Sequence, residues 1–364
     1  MENKLYKPIL LVVIYVSAHK MRNIQKNIIF CYKKYLKDYD VYYVNMFMSP
    51  GLKHCLKREW DLIIFHSSLL SLRFNRSRFI SLIDNNKQSI MNLKAAVRAI
   101  TVQDEFVHMD LVCDFIKRFD ISHVFSVAPE TEIKNLYFGI DFLNVKFHRV
   151  LTGYIDSDTV SLVEDMANTK LIRPFFIGYR VVSTPQWGSF NLLKKEIADV
   201  FIMECEKRGL VHDIKIGEQY FLNGDDWVKH LAKCKATIGI EGGSNILDLD
   251  GAFSEKIKKL IDDGIKVNKQ MLLEFEKNIP NIQLKALSPR HLEACMTKTC
   301  QVLVEGEYNG VLQPWVHYLP LKQDFSNIRE IFEFLEDNDR VKICLLYTSP
   351  SPRDRTRSRM PSSA

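Results

Sequence analysis

Ile9 to Val16 is an unbroken apolar run rich in β-branched residues. Alternation of apolar and polar positions would mark a half-exposed strand; a continuous run marks one covered on both faces, as in a parallel sheet. After it, Ile24, Ile28, Cys31 and Tyr35 recur at helical spacing between polar residues, which predicts an amphipathic helix. Strand-like stretches follow at Asp40–Met46, Asp61–Phe65, Val97–Val102, His123–Val127 and Val145–Val150, separated by helix-compatible segments such as Phe106–Arg118. Strands alternating with helices imply right-handed βαβ units and an open parallel sheet over residues 1–155.

Residues 156–173 read as a polar connection with one short helix. Pro174 then precedes a new apolar run, Phe175–Tyr179, and a second alternation begins. It comprises helix Leu192–Arg208, strand Val211–Ile216, helix Trp227–Cys234, strand Ala236–Ile240, a long charged helical stretch Ser254–Lys277, helix Pro289–Thr297 and strand Gln301–Glu305. The predicted organisation is therefore two tandem Rossmann-like, doubly wound α/β domains, 1–155 and 174–343. Such folds bind ligands at the carboxyl ends of their strands, yet the pattern alone does not separate a transferase from a two-domain dehydrogenase or an epimerase.

With 364 residues and 46% apolar content, the chain can bury two sizeable cores. Its longest apolar run is too short to span a bilayer and lacks a signal peptide's cleavage site, so the expectation is a cytoplasmic protein, with peripheral membrane contact left open. Eight scattered cysteines form no CxxC pair and no Cys/His cluster at zinc-ligand spacing, so neither a metal nor a cofactor is expected. From Cys344 the chain reads CLLYTSPSPRDRTRSRMPSSA, which resembles a translated sequencing adapter. Residues 344–364 are thus expected to be a foreign, disordered tail, with the second domain left incomplete near Ile343. That tail holds four arginines and one aspartate, so half of the +6 net charge lies there, and the remainder is too mild to indicate nucleic acid.

Chemistry concentrates in two segments. In Ala236–Phe253 a predicted strand runs into Glu241-Gly242-Gly243-Ser244, where the amides of Gly242, Gly243 and Ser244 at a helix start could cradle a phosphate. An ordinary βα turn is the alternative, and the glycine spacing is not that of a dinucleotide fingerprint. Asp248-Leu249-Asp250 is formally a DxD pair, but its position after the glycines does not ask for a metal. In Ser288–Ile328, Ser288 fits an N-cap and Pro289 a first helical turn. Arg290 could then pair with phosphate and Glu293 could accept hydrogen bonds from sugar hydroxyls; a surface cation and a solvated helix carboxylate are the plain alternatives. His317 and Tyr318 are expected on a late strand, and Tyr308 and Trp315 either stack on a base or pack in a core.

Arg180 ends the first strand of the second domain, with Lys194 and Lys195 on the next helix. In the first domain His66, Asp104 and Glu105 each follow a strand, where a general base for an acceptor hydroxyl would sit. For Arg180 the alternative is a structural salt bridge, for His66 an ordinary satisfied histidine, and for the two carboxylates capping of the helix that starts near Phe106.

Taken together, QDE at Gln103–Glu105, LTGY at Leu151–Tyr154, IGYR at Ile177–Arg180, GIEGGSNILDLDG at Gly239–Gly251, SPRHLEA at Ser288–Ala294 and the EGEYNGVLQPWVHYLPLKQDFSN segment resemble GT-B glycosyltransferases with a group-1-like donor domain, of the spore-coat and surface-polysaccharide type. The resemblance implies transfer of a sugar from a nucleotide-sugar to a glycan or lipid-linked acceptor, in surface polysaccharide or glycoconjugate synthesis. It places the donor on the carboxy-terminal domain, with Arg180 and Lys195 balancing the diphosphate and Glu293 orienting the sugar. Retaining relatives carry two glutamates separated by seven residues; here the second is Glu293 and the first position holds Lys285. That departure keeps open a nucleotide-sugar-binding protein without catalysis.

Overall fold

The computed structural model describes residues 9–17, 23–48, 51–168, 172–222 and 224–341; the tail from Cys344 lies outside them. Strands β1 (Ile9–Tyr15), β2 (Tyr39–Asn45), β3 (Glu59–Phe65), β4 (Lys94–Thr101), β5 (His123–Ser126) and β6 (Lys146–Arg149) form one sheet in the order β2-β1-β3-β4-β5-β6. All its pairings are parallel. The continuous apolar run is explained by position: Leu11 to Ile14 lie fully buried in an interior strand. Helices Asn23–Tyr35, Arg76–Met91 and Met109–Arg118 return the chain between strands. Phe115 anchors the core, its ring 5.1 Å from that of Phe65 and 4.7 Å from that of Phe119.

The second sheet begins with β7 (Phe175–Val181), β8 (His212–Ile216) and β9 (Cys234–Gly239). Next come β10 (Gly242–Ile246) and β11 (Asn281–Ala286), which pair with each other, and then β12 (Cys300–Val304) and β13 (Leu319–Leu321) complete the second sheet in the order β13-β12-β9-β7-β8. Its pairings are again parallel. In both sheets the first strand is interior, with the second on one side and the third on the other: two doubly wound α/β units. Gly178 on β7 is a close approach, since a Cβ there would lie 2.2 Å from the Cys234 sulfur and 2.9 Å from His230 Nε2. No helix among the described residues is long and apolar enough to cross a membrane.

Several sequence expectations need correction. The compact units are not two consecutive spans: Gln186–Gly188 and Gly243–Leu284 belong with the amino-terminal unit, and Thr152–Pro185, Ser189–Gly242 and Lys285 onward form the other. The cause is packing, because Leu247, Ile282 and Leu284 are buried in the first unit's core, while main-chain bonds join Asp248 N–H to Phe106 O (2.8 Å) and His108 N–H to Asp248 O (3.0 Å). The charged helical stretch is two helices, Ala252–Asp262 and Lys269–Glu276, interrupted around Gly264, whose φ of 76° no L side chain adopts easily. His317 and Tyr318 precede β13 rather than lie on it.

Truncating Leu284 to Ala should lower stability by about 2–4 kcal/mol. Native-state hydrogen exchange should report that loss in the amides of β1, β3 and β4. A loss confined to β7, β8 and β9 would contradict the assignment of residues 243–284 to the first unit.

Candidate functional site

In the carboxy-terminal unit the winding reverses between β7 and β9, so the crevice outside their carboxyl ends is where a ligand would be expected. One cation is fixed there by the main chain. Arg290 Nη1 donates to the carbonyl of Arg180, the penultimate residue of β7, at 2.5 Å. The guanidinium lies 5.2 Å from the ring centroid of Trp227, within cation–π range. Its remaining N–H groups have no hydrogen-bond partner among the described residues, which leaves them able to meet an anion. Trp227 also donates Nε1–H to Glu293 Oε2 at 2.7 Å. Arg290 and Glu293, three residues apart on helix Pro289–Met296, therefore share one aromatic brace.

The start of that helix is rigidly held. Ser288 and His291 form a capping box with Pro289 in the first turn, and His291 Nδ1 accepts Ser288 N–H at 3.2 Å. Burial lowers the His291 pKa to about 3, so the ring remains a neutral acceptor. Just before it, Leu287 N–H donates to Asn309 Oδ1 at 2.5 Å and Leu287 O accepts the Thr152 hydroxyl. Asn309 sits in a left-handed turn with Tyr308 (φ 55° and 46°). Two things secure that turn: Tyr308 OH donates to Val304 O at 2.6 Å, and buried Glu241 accepts Tyr308 N–H at 2.7 Å. Burial raises the Glu241 pKa against the opposing effect of that hydrogen bond.

Other residues singled out in the sequence play different parts. The Arg180 guanidinium is buried and committed to Asp213, with Nη2 at 2.6 Å from Oδ2 and Nη1 at 2.5 Å from the main-chain carbonyl, so its side chain forms the structural salt bridge and its own carbonyl serves the site. Lys195 pairs with Asp199 on its helix at 2.6 Å, and Lys194 donates to Asn191 at 2.7 Å. Gly242, Gly243 and Ser244 open no helix: they lie on β10, and buried Ser244 donates to Trp187 O at 2.9 Å. The expected helix start is absent there, because the segment pairs with β11 as a strand, with Gly243 at a positive φ of 103°. Asp248 caps helix Ala252–Asp262 by accepting Phe253 and Ser254 N–H at 3.0 and 2.8 Å. No group of three or more His, Cys, Asp or Glu among the described residues is placed to hold a metal.

In the amino-terminal unit His66 closes β3 and caps the short helix Ser67–Leu70, its Nδ1 accepting Ser68 N–H at 3.1 Å. Burial lowers its pKa to about 4. Glu105 is buried, accepting the Ser126 hydroxyl (2.6 Å), the amides of Val127 (2.9 Å) and Ala128 (3.1 Å), and the Tyr137 hydroxyl. Desolvation raises its pKa. Asp104 takes a left-handed φ of 52° in the preceding turn. Neither carboxylate caps the following helix, which starts at Met109 behind His108. Glu241, Trp227 and Asn309 are the site residues that sequence reasoning did not assign; Trp227 beside a helical face was the one available signal.

No protein-family model matches the chain. A stretch of 30 residues is 53% identical to protein O-glucosyltransferase 1 of Bos taurus and of Homo sapiens, covering 8% of this chain and 8% of the length of those relatives. Among solved structures, similarity extends to Anabaena HepE in complex with UDP and glucose (TM-score 0.46, 11% identity, 93% of each chain). It extends also to an α1,3-fucosyltransferase (TM-score 0.42, 10% identity, 95% of this chain and 83% of that one) and a glycosyltransferase from Rickettsia africae (TM-score 0.42, 10% identity, 94% and 93%).

Two of the depressed histidines, His66 and His291, carry a pH prediction. A pKa below its unfolded value means that protonation favours the unfolded chain, so the stability is present above pH 6.5 and is lost as pH falls toward about 4 for His66 and about 3 for His291. His66→Asn keeps a capping acceptor without the titration. Relative to wild type it should gain about 2 kcal/mol between pH 6.5 and 5, measured by urea unfolding.

Proposed function

We propose that the chain is a glycosyltransferase whose carboxy-terminal unit holds the diphosphate of a nucleotide-sugar at the carboxyl ends of β7 and β9. The observation that carries this reading is Arg290: a guanidinium tethered to Arg180 O, braced on Trp227 and left with unspent donors beside a capped helix start. A planar fork of this kind suits a diphosphate, and it stabilises charge where a nucleoside diphosphate departs. Glu293, oriented by the Trp227 indole N–H, orients hydroxyls of the ribose or the transferred sugar. The 30-residue likeness to a protein O-glucosyltransferase supports the same class of reaction. On this reading the acceptor is a glycan or lipid-linked saccharide presented to the amino-terminal unit, and the product belongs to surface polysaccharide or another glycoconjugate. His66 and Glu105 do not act as its base, being a buried cap and a buried staple.

A second reading, nucleotide-sugar binding without transfer, has one observation in its favour. Lys285 stands where retaining transferases carry their first glutamate, and its ammonium lies 4.9 Å over the Phe190 ring.

Calorimetry with UDP, GDP and a panel of nucleotide-sugars, run beside a product assay, separates the two readings: binding without hydrolysis or transfer would establish the second. Arg290→Ala should weaken nucleoside diphosphate binding by about 10- to 100-fold, the worth of a charge-assisted hydrogen bond or two. Arg290→Lys should recover only part of that loss, since it keeps the charge but not the fork. Trp227→Phe should lower kcat more than it raises KM, because the ring remains under Arg290 while Glu293 loses its donor. Nucleotide affinity unchanged in both Arg290 variants would overturn the assignment.

A further inference from the structure

Positive charge is unevenly distributed in this protein. Residues 23–58 hold seven of its lysines and arginines against Asp38 and Asp40, a net +5 in a chain whose total is +6. Lys26, Lys33, Lys37, Lys53 and Lys57 are exposed and have no carboxylate partner among the described residues. Glu59, immediately beyond, is already paired with Lys94 at 3.3 Å.

The same surface exposes apolar side chains. Phe30, Phe47 and Met48 are 38%, 40% and 62% exposed. On helix Asn23–Tyr35 the spacing places Lys26, Phe30 and Lys33 along one exposed stripe. The Phe30 ring reaches the edge of the sheet, 4.9 Å from Tyr43 and 5.8 Å from Tyr15. Tyr15 and Tyr43 in turn line a cavity of about 590 Å³ with Met48, His54, Lys57 and Arg58. The helix packs on one side of the sheet with Tyr43 and the turn Gly51–Lys57 on the other with Tyr42 and Val44, so the basic and aromatic groups wrap around the edge strand β2 and meet at this cavity.

An electropositive face carrying large exposed apolar groups fits an anionic interface into which those groups can insert. Cations alone would serve any polyanion, and apolar groups alone would mark a protein contact. Interleaved, they match a lipid surface, where lysines meet phosphate headgroups while aromatic and methionine side chains sit at the acyl boundary. We propose that this face of the amino-terminal unit docks the protein on anionic lipid membranes. The proposal stands apart from the transferase reading, since vesicle binding needs no nucleotide-sugar.

The test is co-flotation of the full chain with vesicles of phosphatidylcholine, with and without phosphatidylglycerol, at rising NaCl. Binding should require phosphatidylglycerol and weaken with salt. Lys33→Gln combined with Lys37→Gln should lower partitioning by at least about tenfold. Met48→Glu should lower it too, with the thermal midpoint unchanged, whereas Lys207→Gln on the other unit should have no effect. Equal binding to neutral vesicles, or wild-type binding by both the lysine and the Met48 variants, would overturn the proposal. So would retention on heparin that falls in the lysine variant if Met48→Glu leaves vesicle binding intact, since capture would then be of polyanions in general.

Discussion

Arg73 is fully buried and hydrogen-bonds only main-chain carbonyls: Val107 O through Nε (3.0 Å), Leu70 O through Nη1 (3.0 Å), and Gln103 O and Asp104 O through Nη2 (3.0 and 2.6 Å). The loops at the carboxyl ends of parallel strands turn inward and must satisfy their polar groups without water, and an orphan carbonyl there costs about 1–3 kcal/mol. A single guanidinium meets four such groups. Its charge, costly to bury alone, is opposed by Asp104 and by Glu105, and the Glu105 carboxylate in turn holds the amides of Val127 and Ala128. The QDE segment is thereby a staple between strand ends, with the Glu105 carboxylate buried inside it and Asp104 left exposed.

The carboxy-terminal unit solves the same problem with different groups. Glu241 at the end of β9 holds Tyr308 N–H, and Asn309 holds Leu287 N–H, so the helix start carrying Arg290 is tied to the strand ends through a left-handed turn. Two successive non-glycine residues at positive φ cost of order 1–3 kcal/mol each, and they persist only where surrounding contacts fix them. Here the fixing contacts include the His291 and Tyr318 rings, each 5.1 Å from that of Tyr308. Strain concentrated beside the proposed phosphate-binding group is consistent with a site organised before its ligand arrives.

How much of this could be read from the sequence depended on the range of the interaction. Ile9–Tyr15 and Phe175–Val181 were legible because continuous apolar runs encode a strand buried on both faces, and the capping residues Ser288 and Pro289 because their signal lies within one turn. Gly242–Ile246 was not legible: the string GGSNI has turn-like composition, and its extended form depends on a partner strand more than 30 residues away. The fate of Arg180 was hidden for a similar reason, since Asp213 lies on the neighbouring strand and no local spacing links the two. Arg290 and Glu293 could be picked out as a pair, but not the indole that orients both.

What distinguishes the two cations of the carboxy-terminal site is burial. Arg180 is 8% exposed, and a guanidinium so placed must be neutralised; Asp213 does this and takes up Nη1 and Nη2, leaving only the buried Nε without a hydrogen-bond partner among the described residues. Arg290 keeps part of its surface in solvent, and the face of Trp227 supplies attraction without a counter-charge. An aromatic brace fixes a cation without consuming its hydrogen-bond donors, whereas a carboxylate fixes it by consuming them. Because Trp227 also directs its indole N–H to Glu293, the carboxylate nearest in sequence is held by a neutral donor, and the guanidinium fork stays open to an incoming anion.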